Sequence, residues 1–202
     1  MLRIGKIDSL TLGFVRTDRL QRAGAARSLA SFVHESDADV VALGDVDAGD
    51  ALSMATRFDR QWAYCGDHAL LWKRRLGARS AQSRRSLLHV DADCDGTRLH
   101  LFATRFSADR TRIRDLRFTR AAVRAVRGTV ILFAGYFMPG RVGFSDLGLC
   151  VVQELEAPEL AIAARGYDLS LLRLTHPAGG IGPALLVCAT RPASARLDGG
   201  GI

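Results

Sequence analysis

The sequence predicts a mixed α/β sandwich. Three observations carry this. The first is an alternation of strand-like and helix-like segments along 202 residues, a length that fits one domain with its own core. The second is a pair of hairpin signals, Gly66-Asp67 and Asp95-Gly96, each between apolar runs. The third is a set of continuous apolar runs of buried-strand type, including ADVVALGDV and GTVILFAGYF. Hairpins together with strand–helix units argue for packed mixed sheets rather than a purely parallel, doubly wound one.

In chain order, residues 2–8 (LRIGKID) read as a first strand. Residues 20–36 carry Ala26, Leu29 and Val33 at helical spacing. A buried strand follows at 38–46 and a short helix at 50–58. WAYCG (62–66) and HALLWK (68–73) form a hairpin. Residues 74–86 are polar and basic and read as a loop. SLLHVDAD and TRLHLFATRF form a second hairpin. Residues 109–127 form the clearest helix, with Ile113, Leu116, Val123 and Val126 on one stripe, Asp109 as N-cap and Gly128 past its end. Strands follow at 128–137, 149–154, 166–174 and 184–190. Residues 1–190 are expected to form the domain and 191–202 a flexible tail.

Composition excludes several classes. Apolar residues make up 48% and mean hydropathy is +0.08, which rules out a disordered chain. No apolar run reaches the length of a membrane span, and the N-terminus lacks a signal-peptide pattern. Net charge is +7, but only Lys6 and Lys73 are lysines, and the arginine skew reads as GC-rich coding bias. Arg110, Arg114, Arg117 and Arg124 share one helical face with no interleaved aromatics, the pattern of a solvated surface rather than a strand-stacking platform. Nucleic acid is therefore not an expected partner. The four cysteines have no metal-ligand spacing. Cys150 and Cys188 are expected to be buried thiols, and a reducing cytoplasm is the simplest setting.

Taken in order, five blocks resemble the endonuclease/exonuclease/phosphatase (DNase I-like) superfamily. They are LRIGKIDSL, ADVVALGDVD, FATRFS before the arginine-rich helix, AGYFM after VILF, and GGIGP before ALLVCAT. The resemblance spans roughly residues 2–190 and implies a two-sheet α/β sandwich of magnesium-dependent phosphoesterases. It also implies that the departures fall on catalytic positions. The family's first-strand Asn is matched by Asp8, its metal-binding Glu by Asp45 after Gly44, and the His of its third block by Arg105. The Asp and Asn of the fourth block are matched by Tyr136 and Met138, and the Asp and His of the closing block by Gly180 and Ile181. Asp168 falls where the family often has an Asp that orients its catalytic His.

These substitutions imply a cleft without metal or cofactor. Asp8, Asp45, Arg105 and Tyr136 are the candidate acid/base and orienting groups. Arg105 either pairs with Asp8 or Asp45, taking the charge role of the metal, or points to solvent. Tyr136 is either a hydrogen-bond donor or a plug. Met138, Asp168, His68 and His176 are candidate lining residues. For both histidines a structural role is the competing reading, as it is for His34, His89 and His100. Three functions remain open: a cleft repurposed to bind or transform a small metabolite, a non-catalytic binding or assembly protein with a protein partner, and a phosphoesterase or nuclease with an altered metal site.

Overall fold

The structure is a computed structural model that describes residues 9–17, 22–106, 112–135, 147–152, 160–175 and 181–192. Its elements are β1 (Ser9–Thr17), α1 (Arg22–Ser36), β2 (Val40–Gly44), α2 (Ala48–Arg57), β3 (Arg60–Cys65) and β4 (His68–Lys73). They continue as β5 (Gly77–Arg84), β6 (Leu87–Cys94), β7 (Thr97–Arg105), α3 (Arg112–Ala125) and β8 (Thr129–Gly135). The last four are β9 (Cys150–Val152), β10 (Leu160–Arg165), β11 (Asp168–Thr175) and β12 (Ile181–Thr190).

The strands form two six-stranded sheets. The first has the order β11-β12-β1-β2-β4-β3 and the second β5-β6-β7-β8-β10-β9. Each has one parallel pair, β1 with β2 and β7 with β8, bridged by α1 and α3 respectively. Two-residue periodicity gives every central strand two buried faces. In β1, Leu10, Leu12 and Phe14 point between the sheets, and Val15 points outward under the helices. In β7, Leu99, Leu101 and Ala103 point inward and Phe102 points outward. Burial on both faces explains why these strands read as apolar runs rather than as strict alternation. α1 and α2 cover the outer face of the first sheet, and α3 that of the second. The helix α2 starts at Asp47, whose carboxylate accepts the Asp50 N–H at 2.8 Å as an N-cap.

Several expectations need correction. Residues 2–8, expected as a first strand, lie outside the described residues, and the first described strand is Ser9–Thr17. Residues 77–84 are not a loop but the edge strand β5, exposed along its whole length. An exposed edge gains nothing from apolar side chains, and arginine there discourages pairing with other chains, so the segment looks like a loop in sequence. β10 went unexpected because LAIAAR is short, apolar and Ala-rich, which periodicity alone does not resolve. Cys150 is exposed on the edge strand β9 and Cys188 half-buried on the outer face of β12, whereas the buried thiols are Cys65 and Cys94. Ile113 is exposed, so the buried stripe of α3 is carried by Leu116, Ala122, Val123 and Val126.

Candidate functional site

The site forms where the carboxyl ends of β1, β2, β7 and β8 meet, in the gap between the sheets. The alternation that fills the core continues into this end. Below it, Phe14 of β1 meets Phe133 of β8 edge to face, with ring centroids 5.9 Å apart. Two residues further along β1, the same face carries Arg16. Two residues beyond Ala103 in β7, the same face carries Arg105. Phe14, Arg16, Gly44, Asp45, His68, Thr104, Arg105, Gly135 and Leu160 line a cleft with about 20 Å³ of interior space, enough for one water-sized group.

The polar groups form a ladder of alternating charge. Asp45 has a 4%-exposed side chain, and both its oxygens are engaged. Arg16 Nε donates to Oδ2, and Arg105 Nη1 lies 2.9 Å from Oδ1. Arg105 Nη1 also donates to Asp67 Oδ2. Asp67 Oδ1 lies 3.3 Å from His68 Nδ1. The ladder therefore runs Arg16–Asp45–Arg105–Asp67–His68 and links β1 and the β3–β4 turn of one sheet to β7 of the other.

Local backbone holds it in place. β2 stops at Gly44, and Asp45 takes a left-handed conformation with φ 57°, which a non-glycine residue adopts at a cost of ~1 to 2 kcal/mol. Thr17 offsets this by donating its hydroxyl to the Asp45 carbonyl. The Val46 N–H donates to the Asp67 carbonyl at 3.0 Å and ties the two acidic residues together. Gly44 has no side chain on the inner face, where a Cβ would lie 3.8 Å from Arg16 Cγ.

His68 is 5% exposed, and burial pushes its pKa down from 6.5 to about 4, against a smaller opposite pull from the Ala103 carbonyl beside the ring. The ring is neutral at pH 7. A carboxylate only accepts hydrogen bonds, so Nδ1 carries the proton that faces Asp67. Nε2 is buried and has no hydrogen-bond partner among the described residues.

Of the residues singled out in sequence, Asp45, Arg105 and His68 come together here. Asp168 does not: it is exposed and paired in register with Thr190, at the far end of the first sheet, where Ser9 also pairs. Asp8, Tyr136, Met138 and His176 lie outside the described residues. Sequence reasoning missed Arg16 and Asp67. Arg16 sits at the end of β1, at register with Gly44. Placing the strand at 2–8 put Asp8 in that role, although the alternating SLTLGFVRT carried the signal. Asp67 reads as a turn residue, and only the fold brings it to Arg105.

Among the described residues, the other three histidines sit in packing contacts. His89 stacks on Phe102 at 4.3 Å and lies 3.1 Å from His100 Nδ1, and His100 Nε2 lies 3.2 Å from the Arg127 carbonyl. His34 stacks on Phe58.

Similar architectures occur among solved structures. A humanized zebrafish (D. rerio) TDP2 superposes with a TM-score of 0.74 at 15% identity, covering 92% of this chain and 100% of that one. An endonuclease/exonuclease/phosphatase family protein from Bacteroides thetaiotaomicron gives 0.65 at 10% identity, covering 92% and 98%. The human Nocturnin catalytic domain gives 0.59 at 11% identity, covering 91% and 95%. No protein-family profile matches the sequence, and no curated protein is similar to it. The chain has the DNase I-like α/β-sandwich fold.

That fold implies a divalent cation, so its fit can be tested on the residues present. Magnesium requires hard oxygen donors in near-octahedral geometry. Among the described residues, no group of three or more His, Cys, Asp or Glu side chains is arranged to hold a metal. The two carboxylates of the ladder, Asp45 and Asp67, both pair with Arg105, and Asp45 also pairs with Arg16. A cation there would meet two guanidinium groups. The described residues do not fit a divalent ion.

Proposed function

We propose that this chain is a DNase I-like protein whose cleft no longer performs metal-dependent phosphoester hydrolysis and instead binds or transforms a small metabolite without metal. One observation carries the reading: both oxygens of Asp45 are taken by guanidinium groups, Arg16 on Oδ2 and Arg105 on Oδ1. A metal-dependent hydrolase needs that kind of oxygen for its ion. The two arginines supply positive charge at the place where the ion would supply it, and supply it permanently. The cleft walls, Phe14, Leu160, Gly44 and Gly135, are apolar or bare backbone, the lining of small-molecule sites.

The test is a phosphodiesterase assay on bis-p-nitrophenyl phosphate with Mg²⁺ or Mn²⁺, run beside a melting-temperature screen against a pool of small metabolites. The reading predicts no metal-stimulated hydrolysis and a stabilising hit in the pool, because a ligand of the folded state raises its stability. Metal-dependent hydrolysis that is lost in Asp45→Ala would overturn it.

A further inference from the structure

One edge of the second sheet is open. Among the described residues β5 pairs with β6 alone, and every residue along it is exposed. In an antiparallel pair, alternate residues of an outer strand turn their N–H and C=O groups away from the neighbour. The register is irregular only between Ala78 and Ser80. From there Ser80 to Arg84 run regularly opposite Asp91 to Leu87, a stretch long enough to take another strand. Its side chains are Ser80, Ala81, Gln82, Ser83 and Arg84, with no proline among them.

Charge says what kind of strand fits. Residues 68–90 carry six cations, Lys73, Arg74, Arg75, Arg79, Arg84 and Arg85, and no Asp or Glu. Four of these are matched from elsewhere in the fold: Lys73 and Arg75 by Asp39, Arg74 by Asp59, and Arg79 by Asp93. Arg84 and Arg85 have no carboxylate partner among the described residues. Both instead stand over the Phe118 ring of α3, 5.4 and 5.3 Å from its centroid. Such a contact uses the flat face of a guanidinium and leaves the N–H groups of its rim able to donate. The ring thus fixes two cations at the end of the open edge, with forks that match a carboxylate.

We infer that β5 is a docking edge for an extended acidic segment of a partner protein. The segment adds to the sheet beside Ser80–Arg84 and sets a carboxylate against Arg84 and Arg85. The same arginines disfavour a second copy of this edge, which would bring like charge to like. A DNA backbone offers only acceptors and would leave the edge carbonyls unmatched, and β5 carries no aromatic side chain to stack a base. No residue of β5 lines the cleft, so the docking edge stands apart from the reading of that site.

The test is fluorescence anisotropy of labelled peptides titrated with the full chain. The probe is acetyl-(Glu-Val)4-amide. Acetyl-(Lys-Val)4-amide controls for charge, and the acidic peptide N-methylated at every residue keeps its charge but loses every backbone donor. The acidic peptide should bind, and more weakly as salt rises. The lysine peptide should not bind, and N-methylation should cost about tenfold or more. Arg84→Gln and Arg85→Gln, checked for folding by their melting transitions, should each weaken the acidic peptide by about tenfold. Arg57→Gln should leave it unchanged, since Arg57 stands over a ring in the same way, Phe58, but on α2 of the other sheet. Absence of binding up to millimolar protein would overturn the inference, as would equal binding of the N-methylated peptide, which is charge attraction without strand addition. Tighter binding of a labelled oligo-dT would assign the edge to nucleic acid instead. A dimer in sedimentation that the peptide has to displace would assign it to a second copy. Either result overturns the acidic partner, and the peptide controls decide the matter on the unaltered protein even if a variant fails to fold.

Discussion

Arg105 Nη1 lies 2.9 Å from Asp45 Oδ1 across the gap between the two sheets, and the same nitrogen donates to Asp67. One cation thus holds two carboxylates, one at the end of β2 and one in the β3–β4 turn. Arg16 binds the remaining oxygen of Asp45. The carboxyl ends of strands from both sheets are cross-linked by charge.

Removing Asp45 should therefore be costly. Asp45→Ala leaves two guanidinium groups facing each other without their shared anion. Breaking a buried pair by deleting one partner costs about 3 to 5 kcal/mol, and the half-exposed arginines place this case near the lower figure. Urea unfolding monitored by tryptophan fluorescence measures it. A loss under about 1 kcal/mol would show that the ladder is a surface ion pair in effect.

His68 makes stability depend on pH. Its folded pKa, about 4, lies below the ordinary 6.5. The unfolded chain therefore binds the proton first as pH falls. The contribution is fully present above pH 6.5 and is lost progressively as pH drops toward 4. The gap corresponds to about 3 kcal/mol. His89 and His100, also pushed down by burial, act in the same direction. Urea midpoints at pH 7 and pH 4.5 should differ accordingly, and His68→Gln should flatten part of the slope. An unchanged slope in that variant would assign the dependence elsewhere.

Phe14 forms the floor of the cleft. It is 4% exposed and meets Phe133 edge to face. Phe14→Ala should cost about 3 to 5 kcal/mol through lost burial and a cavity. It should also loosen Arg16, two residues along the same strand. Thermal unfolding checks the first effect. The second would appear as a weaker ligand response in the variant at a temperature where it is folded.

Gly166 closes the β10–β11 turn at φ 84°, and a Cβ there would lie 3.1 Å from Thr129 Oγ1. Gly166→Ala should destabilise by about 1 to 2 kcal/mol, from left-handed strain and crowding together. The equilibrium unfolding free energy tests this, with Gly77→Ala as control, since a Cβ there meets nothing and the backbone is ordinary.

Much of the fold was legible because its strands are buried on both faces. VVALG and TVILFAG have no solvent side to carry polar residues, and Gly66-Asp67 and Asp95-Gly96 declare their hairpins. The segments that escaped are those for which burial gives no pattern. β5 is exposed throughout, and β10 is a short Ala-rich strand. The site was half legible. Asp45 and Arg105 lie in blocks whose order and spacing resemble the superfamily, and their pairing is one of the alternatives the sequence left open. Arg16 escaped because attention fell on residues 2–8 and Asp8, which lie outside the described residues, and Asp67 by its role in a turn. Charge partners brought together over 29 and 38 residues leave no local trace.

The central claim is that the Asp45 carboxylate serves arginine rather than a divalent ion. Calorimetric titration of Mg²⁺ into the protein at neutral pH tests this most directly, with Asp45→Ala alongside. The account predicts no saturable heat in either protein at millimolar Mg²⁺. Saturable binding in the unaltered protein that disappears in Asp45→Ala would contradict it.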